Sequence, residues 1–146
     1  MKNTKKILCL LLSGLLVLSC GGCGKKSQTA VLTYEQNGVT IEYQFESKKD
    51  VIEKITQITT TSGATDMSAS ASSYQALYSS IEGVTYSTEI VENSFVETIT
   101  IDATNAATLQ TLAAQGLLQL DGAADALSFQ KTVDNLTAQG WAIQED

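Results

Sequence analysis

The chain has 146 residues, 43% hydrophobic and 17% charged, which describes a globular unit rather than a disordered or collagen-like sequence. Nine basic residues, all lysine, stand against sixteen acids for a formal net charge of −7, and arginine, histidine and proline are absent. A Ser-His-Asp hydrolase, a histidine-ligated metal centre and an arginine-clamped phosphate site are therefore excluded, and nucleic-acid binding is disfavoured for want of a basic surface.

Lys2, Lys5 and Lys6 open the chain, an uncharged leucine-rich run follows as far as Leu18, and small residues come next. That run is too short to span a bilayer, which takes roughly 20 apolar residues, and the order of charge, apolar run and small residues is that of a secretory signal. It closes as Val17-Leu18-Ser19-Cys20-Gly21-Gly22-Cys23-Gly24-Lys25-Lys26. This resembles the lipobox of bacterial lipoproteins, in which an apolar residue lies three places before a cysteine and a small residue just before it. The resemblance implies a diacylglyceryl thioether on that cysteine and cleavage on its N-terminal side. Two registers compete. Cys20 has Val17 and Ser19 in the required places but bulky Leu18 between them, whereas Cys23 has Gly21 and Gly22 before it but Cys20 in the apolar place. Cys20-Gly-Gly-Cys23 also spells C-x-x-C, yet a cysteine held as a thioether cannot exchange disulfides, and no second pair exists for zinc. The expected division is a signal peptide over residues 1–22 (ending at 19 or 22), a polar tether over 23–29 and one domain over 30–146. Lys25 and Lys26 either stop transfer of the leader or touch anionic headgroups.

The domain opens on a hairpin. Asn37-Gly38 is a strong two-residue turn signal, and closing it pairs Gln36 with Val39, Tyr34 with Ile41, Leu32 with Tyr43 and Ala30 with Phe45. Thr33, Glu35, Thr40, Glu42, Gln44 and Glu46 then share the opposite, polar face. After a turn at Lys48-Lys49-Asp50, residues 51–61 read as a third strand of undetermined register, because Val51 and Ile55 have one parity and Ile52 and Ile58 the other. Residues 66–82 read as a helix with Met67, Ala71, Tyr74, Leu77, Tyr78 and Ile81 along one stripe, stopped by Gly83. A second hairpin turning at Glu92-Asn93 pairs Ile90 with Phe95, Tyr86 with Ile99 and Val84 with Ile101. Residues 105–115 form a short helix with Ala106, Leu109, Leu112 and Ala113 inward. Residues 117–127 are irregular, with a turn at Asp121-Gly122. Ser128 caps a last helix carrying Phe129, Val133 and Leu136, closed by Gly140, and Trp141-Ala142-Ile143 suits a short terminal strand. The order β-β-β-α-β-β-α-α argues an α+β domain, an antiparallel sheet of about five strands covered on one face by helices.

This pattern resembles the YehR-like bacterial lipoproteins, a family without an assigned activity. The residues that carry it are Cys23-Gly24, Ile81-x-Gly83-Val84, Thr100-Ile101-Asp102 and the Ser128-started helix ending in Gly140 and Trp141. The doubled cysteine departs from the usual single-cysteine lipobox. The resemblance implies a small α+β envelope domain on a lipid anchor and supplies no active-site residue.

Carboxylates are the only abundant reactive groups, and Glu35, Glu42 and Glu46 fall on a strand face with nothing to suggest a cleft or a calcium cage. The aromatic residues fall mostly on core faces, the alternative being a contact surface built from Tyr43, Tyr86 and Trp141. The reading is a non-enzymatic binding or adaptor lipoprotein on the extracytoplasmic face of a bacterial cell membrane, with no cofactor and with the membrane and an envelope protein as partners. The alternatives are an accessory solute-binding lipoprotein of a transporter and, more remotely, an enzyme working with carboxylates alone.

Overall fold

A computed structural model describes residues 26–63, 67–118 and 126–144. The leader with Cys20 and Cys23, the expected helix start at Asp66 and the Asp121-Gly122 turn lie outside these residues. The elements are β1 (Ser27–Gln36), β2 (Val39–Lys48), β3 (Val51–Ser62), α1 (Ser68–Ser79), β4 (Val84–Val91), β5 (Ser94–Asp102), α2 (Ala106–Ala114), α3 (Phe129–Ala138) and β6 (Ala142–Ile143). β1 begins at Ser27, three residues before the domain start expected from the sequence. Among the described residues no helix is long and apolar enough to cross a membrane.

The strands form one antiparallel sheet in the order β4-β5-β3-β2-β1-β6. Both hairpins take the registers read from the sequence: Tyr34 faces Ile41 and Leu32 faces Tyr43, while Ile90 faces Phe95 and Tyr86 faces Ile99. Their turn residues, Asn37-Gly38 and Glu92-Asn93, all have positive φ, which matches the twist of the flanking strands. Lys49-Asp50 repeats that geometry between β2 and β3, with φ of 52° and 66°. The sixth strand is the short terminal segment, pairing Leu32 with Ile143 and Thr33 with Ala142.

The mixed parity of β3 has a local cause. Ser47 pairs with Ile52 but Glu46 with Lys54, so Glu53 is an extra residue, a β-bulge. The bulge turns Ile52 and Ile55, of opposite parity, to the same face, where both are buried. Beyond it Ile58 points to the other face and Gln57 and Thr59 point inward, so the inner face becomes polar along the middle of the sheet.

The core lies between the inner face and the helices, with Leu32, Ile52, Ile55, Leu109 and Leu112 fully buried. Helix α1 buries Tyr78 and half-buries Leu77, while Ile81 is buried in the turn after it and Tyr74 stays 45% exposed. Its serines do not cap it; Ser73 returns its hydroxyl to the Ala69 carbonyl at 3.2 Å. Helix α2 starts at Asn105, whose side chain accepts from the Ala107 N–H. Thr108, buried on α2, donates to the Glu82 carbonyl at 2.8 Å and lies beneath Gly83, where an added Cβ would be 3.1 Å from its hydroxyl. Among the described residues no helix lies on the opposite sheet face. Its rows, such as Gln44-Thr56-Thr100-Thr85 and Glu42-Ile58-Thr98-Ser87, are rich in threonine.

Helix α3 starts where the sequence placed it, with Ser128 Oγ accepting from the Lys131 N–H. A second end-cap, a carboxylate, comes from far along the chain. Asp50 Oδ1 accepts from the Gln130 N–H and Oδ2 from the Ser128 hydroxyl, each at 2.8 Å, and the Asp50 carbonyl accepts from the Phe129 N–H. Those hydrogen bonds, the Gln130 N–H first, hold the Asp50 carboxyl below the usual carboxylate range, and Lys131 adds a favourable charge.

Two outcomes follow from these turns. Replacing Glu92-Asn93 with Asn-Gly should raise the urea unfolding midpoint, by about 1 kcal/mol of stability, because glutamate at positive φ is strained and Asn-Gly is not. Asp50→Ala should lower the melting temperature at neutral pH. Since folding lowers the Asp50 pKa, its contribution is complete above the unfolded value near 3.8 and disappears as pH falls through the lower folded value. The melting curves of wild type and variant should therefore converge in that acid range; a gap that persists there would refute the role given to the carboxylate.

Candidate functional site

Tethering α3 at its first turn leaves a space between the helix and the sheet. A cavity of about 530 Å³ lies there. Tyr43, Phe45 and Ile55 of β2 and β3 form its floor, Leu117, Leu118, Ala126 and Leu127 one wall, and Trp141 closes one end. The α3 side contributes Ser128, Lys131, Thr132, Asn135, Leu136 and Gln139, residues three and four apart that share one helical stripe. The result is an apolar floor under a rim of hydroxyls, amides and one ammonium, of a size within the roughly 300–1,000 Å³ common for small-molecule sites.

Trp141 is positioned by the close of α3. Gly140 takes φ of 93°, and the Trp141 N–H donates to the Leu136 carbonyl at 3.1 Å, just before β6 joins the sheet. Its ring centroid lies 5.0 Å from Tyr43 and 5.5 Å from Tyr34, and Tyr43 stacks on Phe45 at 5.7 Å. These are favourable tilted and offset separations. Burial pushes the Tyr43 hydroxyl pKa up, with the Tyr78 hydroxyl adding to it, so Tyr43 is a neutral hydrogen-bonding group at physiological pH.

Of the three aromatics expected to converge, Tyr43 and Trp141 do so and Tyr86 does not. Tyr43 and Tyr86 share one face and one cross-strand row, Tyr43-Gln57-Ile99-Tyr86. Three strand spacings separate them, about 14 Å. Tyr86 instead stacks on Tyr78 at 5.5 Å, with Tyr74 beyond, and its hydroxyl donates to Glu97 Oε1 at 2.6 Å. Desolvation, then that bond, raises the Tyr86 pKa, and the stacked rings make the cluster a packing joint between α1 and the sheet edge.

The carboxylates on the helix-free face do not converge on a cleft. Glu42 accepts from Gln44 at 2.7 Å and Glu46 pairs with Lys54 at 2.8 Å, both groups of the latter pair being largely exposed. Among the described residues no three acids, cysteines or histidines are grouped to hold a metal ion. The wall residues Leu117, Leu118 and Leu127 were not singled out by the sequence. They lie in an aperiodic segment, and the available signal was their apolar character in a stretch with no helix or strand to bury them. Cys20 and Cys23 lie outside the described residues.

Two solved structures share the fold. The NMR structure of YehR from Escherichia coli superposes with a TM-score of 0.64 at 21% identity, covering 83% of this chain and 93% of that one. The NMR structure of a protein from Streptococcus pneumoniae TIGR4 superposes with a TM-score of 0.60 at 12% identity, covering 99% and 100%. No curated protein is significantly similar to the chain. Residues 28–142, from the beginning of β1 to the first residue of β6, match the profile of a family described as a protein of unknown function, and the chain therefore belongs to the DUF1307 family.

Proposed function

We propose that this protein is a lipid-anchored, non-enzymatic binding module on the extracytoplasmic face of a bacterial membrane, and that it seats an apolar small molecule between α3 and the sheet. The observation that carries the binding role is the cavity, with its Tyr43, Phe45 and Ile55 floor and Trp141 end wall. Apolar lining supplies affinity, and the polar stripe of α3 supplies groups that orient one end of a ligand. A binding role also asks for nothing the chain lacks, since acid-base catalysis at neutral pH most often uses histidine and none is present. A transporter-type binding protein that closes two lobes on its solute is less well supported, because the described elements build one sheet rather than two lobes.

The anchor rests on the sequence from Val17 to Gly24. A diacylglyceryl group suffices for stable attachment, since each buried methylene contributes about 0.8 kcal/mol.

Metabolic labelling with palmitate should mark the wild-type protein and should be abolished by either Cys20→Ser or Cys23→Ser, identifying the acceptor. Labelling that survives the double substitution would reject the anchor. For the cavity, titration with fatty acids, isoprenoid alcohols and small aromatics should shift Trp141 emission saturably for at least one class. A ligand at a hundredfold excess over its Kd should raise stability by about 2.7 kcal/mol, read as melting temperature. Leu136→Lys should remove both responses while the circular dichroism spectrum is retained. If no class gives a saturable response, the cavity is not the seat of binding.

A further inference from the structure

We infer that the corner of the sheet where the chain enters the domain is a docking surface for anionic phospholipid headgroups, formed by Lys26, Lys48, Lys49 and Lys131. This rests on the lipid-anchor reading above for its orientation, and the corner's own chemistry stands apart from it.

All five lysines of the described residues lie toward one end of the sheet, and four of them gather at one corner. Lys26 immediately precedes β1, and its carbonyl accepts from the Lys49 N–H at 3.1 Å. Lys48 is the strand partner of Ser27. Lys131 stands in the first turn of α3, which Asp50 ties to the Lys49 turn, and its charge is close enough to act on the Asp50 carboxyl. The four side chains come from three separate stretches of chain and all four residues are exposed. Among the described residues, Asp50 is the acid set within this group, and its carboxylate is taken up by the start of α3. Asp134 lies one helical turn farther along α3 and accepts from Gln130. Lys54, the fifth lysine, is neutralised by Glu46. Among the described residues, the other acids of this end, Glu53, Glu82 and Asp102, belong to the opposite corner around β4 and β5, where Glu53 and Asp102 border the same shallow surface. At the far end of the strands, roughly 25 Å away, Glu35, Glu89, Glu92 and Glu97 have no lysine of the described residues near them.

The chain length from the anchor selects the partner. From Cys23 to Ser27 a fully extended chain spans at most about 14 Å, and from Cys20 at most about 25 Å. A thioether on Cys23 therefore keeps this corner, rather than the acidic far end, near the bilayer, and one on Cys20 gives the corner a reach of about one strand length. The chain as a whole is acidic, and among the described residues this corner is where an anionic surface finds grouped positive charge. Each lysine near such a surface strengthens association about fivefold, and within a Debye length of about 8 Å the attraction survives physiological salt. The domain then stands on the membrane with β1 rising from it and the Asn37-Gly38 and Glu92-Asn93 turns outermost.

The test uses the lipidated full-length product in nanodiscs of phosphatidylcholine with or without phosphatidylglycerol. A water-soluble amine reagent and peptide mass spectrometry report each lysine. Lys48, Lys49 and Lys131 should be protected severalfold in the anionic discs, the protection should vanish at high salt, and a reporter introduced by Glu35→Lys should label equally in both. Exchanging Lys48 and Lys49 together for glutamate should also release Lys131. Equal labelling of the three lysines in both kinds of disc would overturn the proposal. The mass of the N-terminal peptide reports the anchor in the same preparation. If that peptide carries no lipid, the anchor reading fails, and flotation of the unmodified chain with the two vesicle types decides the corner alone: cofloating with anionic vesicles, lost on K48E/K49E, supports it, and no cofloating rejects it.

Discussion

Helix α3 and the β2–β3 turn are joined through Asp50, side chain and backbone together, and much of the helical side depends on that joint. Asp50 accepts from the Gln130 N–H and the Ser128 hydroxyl while its own carbonyl accepts from Phe129. The donors at the start of a helix have no partner within it, so an anion placed there satisfies them and favours the local dipole. The same attachment fixes how α3 crosses the sheet. It buries Phe129 and Val133 in the core and presents the stripe from Ser128 to Gln139 to the cavity. The left-handed backbone at Lys49 and Asp50 makes this possible, because it lifts the carboxylate off the end of the hairpin toward the helix.

Much of the sheet was legible in the sequence, and the illegible parts share a physical reason. Asn37-Gly38 and the alternation around it determine the first hairpin, since any slip would put Leu32 and Phe45 on the polar face. The second hairpin follows from the same pairing logic at Glu92-Asn93. The bulge at Glu53 could not be read, because no glycine or other special residue marks it and its effect is to break the very alternation on which strand reading rests. Nor could the tie from Asp50 to Gln130, eighty residues apart in sequence. The separation of Tyr86 from Tyr43 has the same origin. Each hairpin is internally determined, but which strand of the second pairs with β3 is a long-range choice, and β5 takes that place. The third aromatic of the expected surface is thereby carried to the sheet edge under α1.

The site itself was half visible. Tyr43 and Trp141 could be picked out as amphipathic aromatics, but their convergence depends on β6 docking on β1, which only two residue pairs establish. The leucines that complete the cavity were hidden in a segment without periodicity. Likeness to the E. coli and S. pneumoniae structures at 21% and 12% identity shows that very different sequences support this arrangement of hairpins and helices. A fold retained through such divergence can carry different surface chemistry, so functional meaning lies in the side chains of this chain's cavity and corners.

The terminal strand carries a consequence beyond completing the sheet. Among the described residues β6 covers Leu32 and Thr33 of the ten-residue β1, with one further bond from the Gln144 N–H to the Val31 carbonyl. Among the described residues it is a stopper on an otherwise open seam of backbone donors and acceptors. The residue just before it, Trp141, is also the end wall of the cavity. One short peel of the C-terminal segment would therefore unseat the aromatic wall and uncover a strand edge together, making the integrity of the pocket and resistance to edge-to-edge self-association two readings of a single local opening.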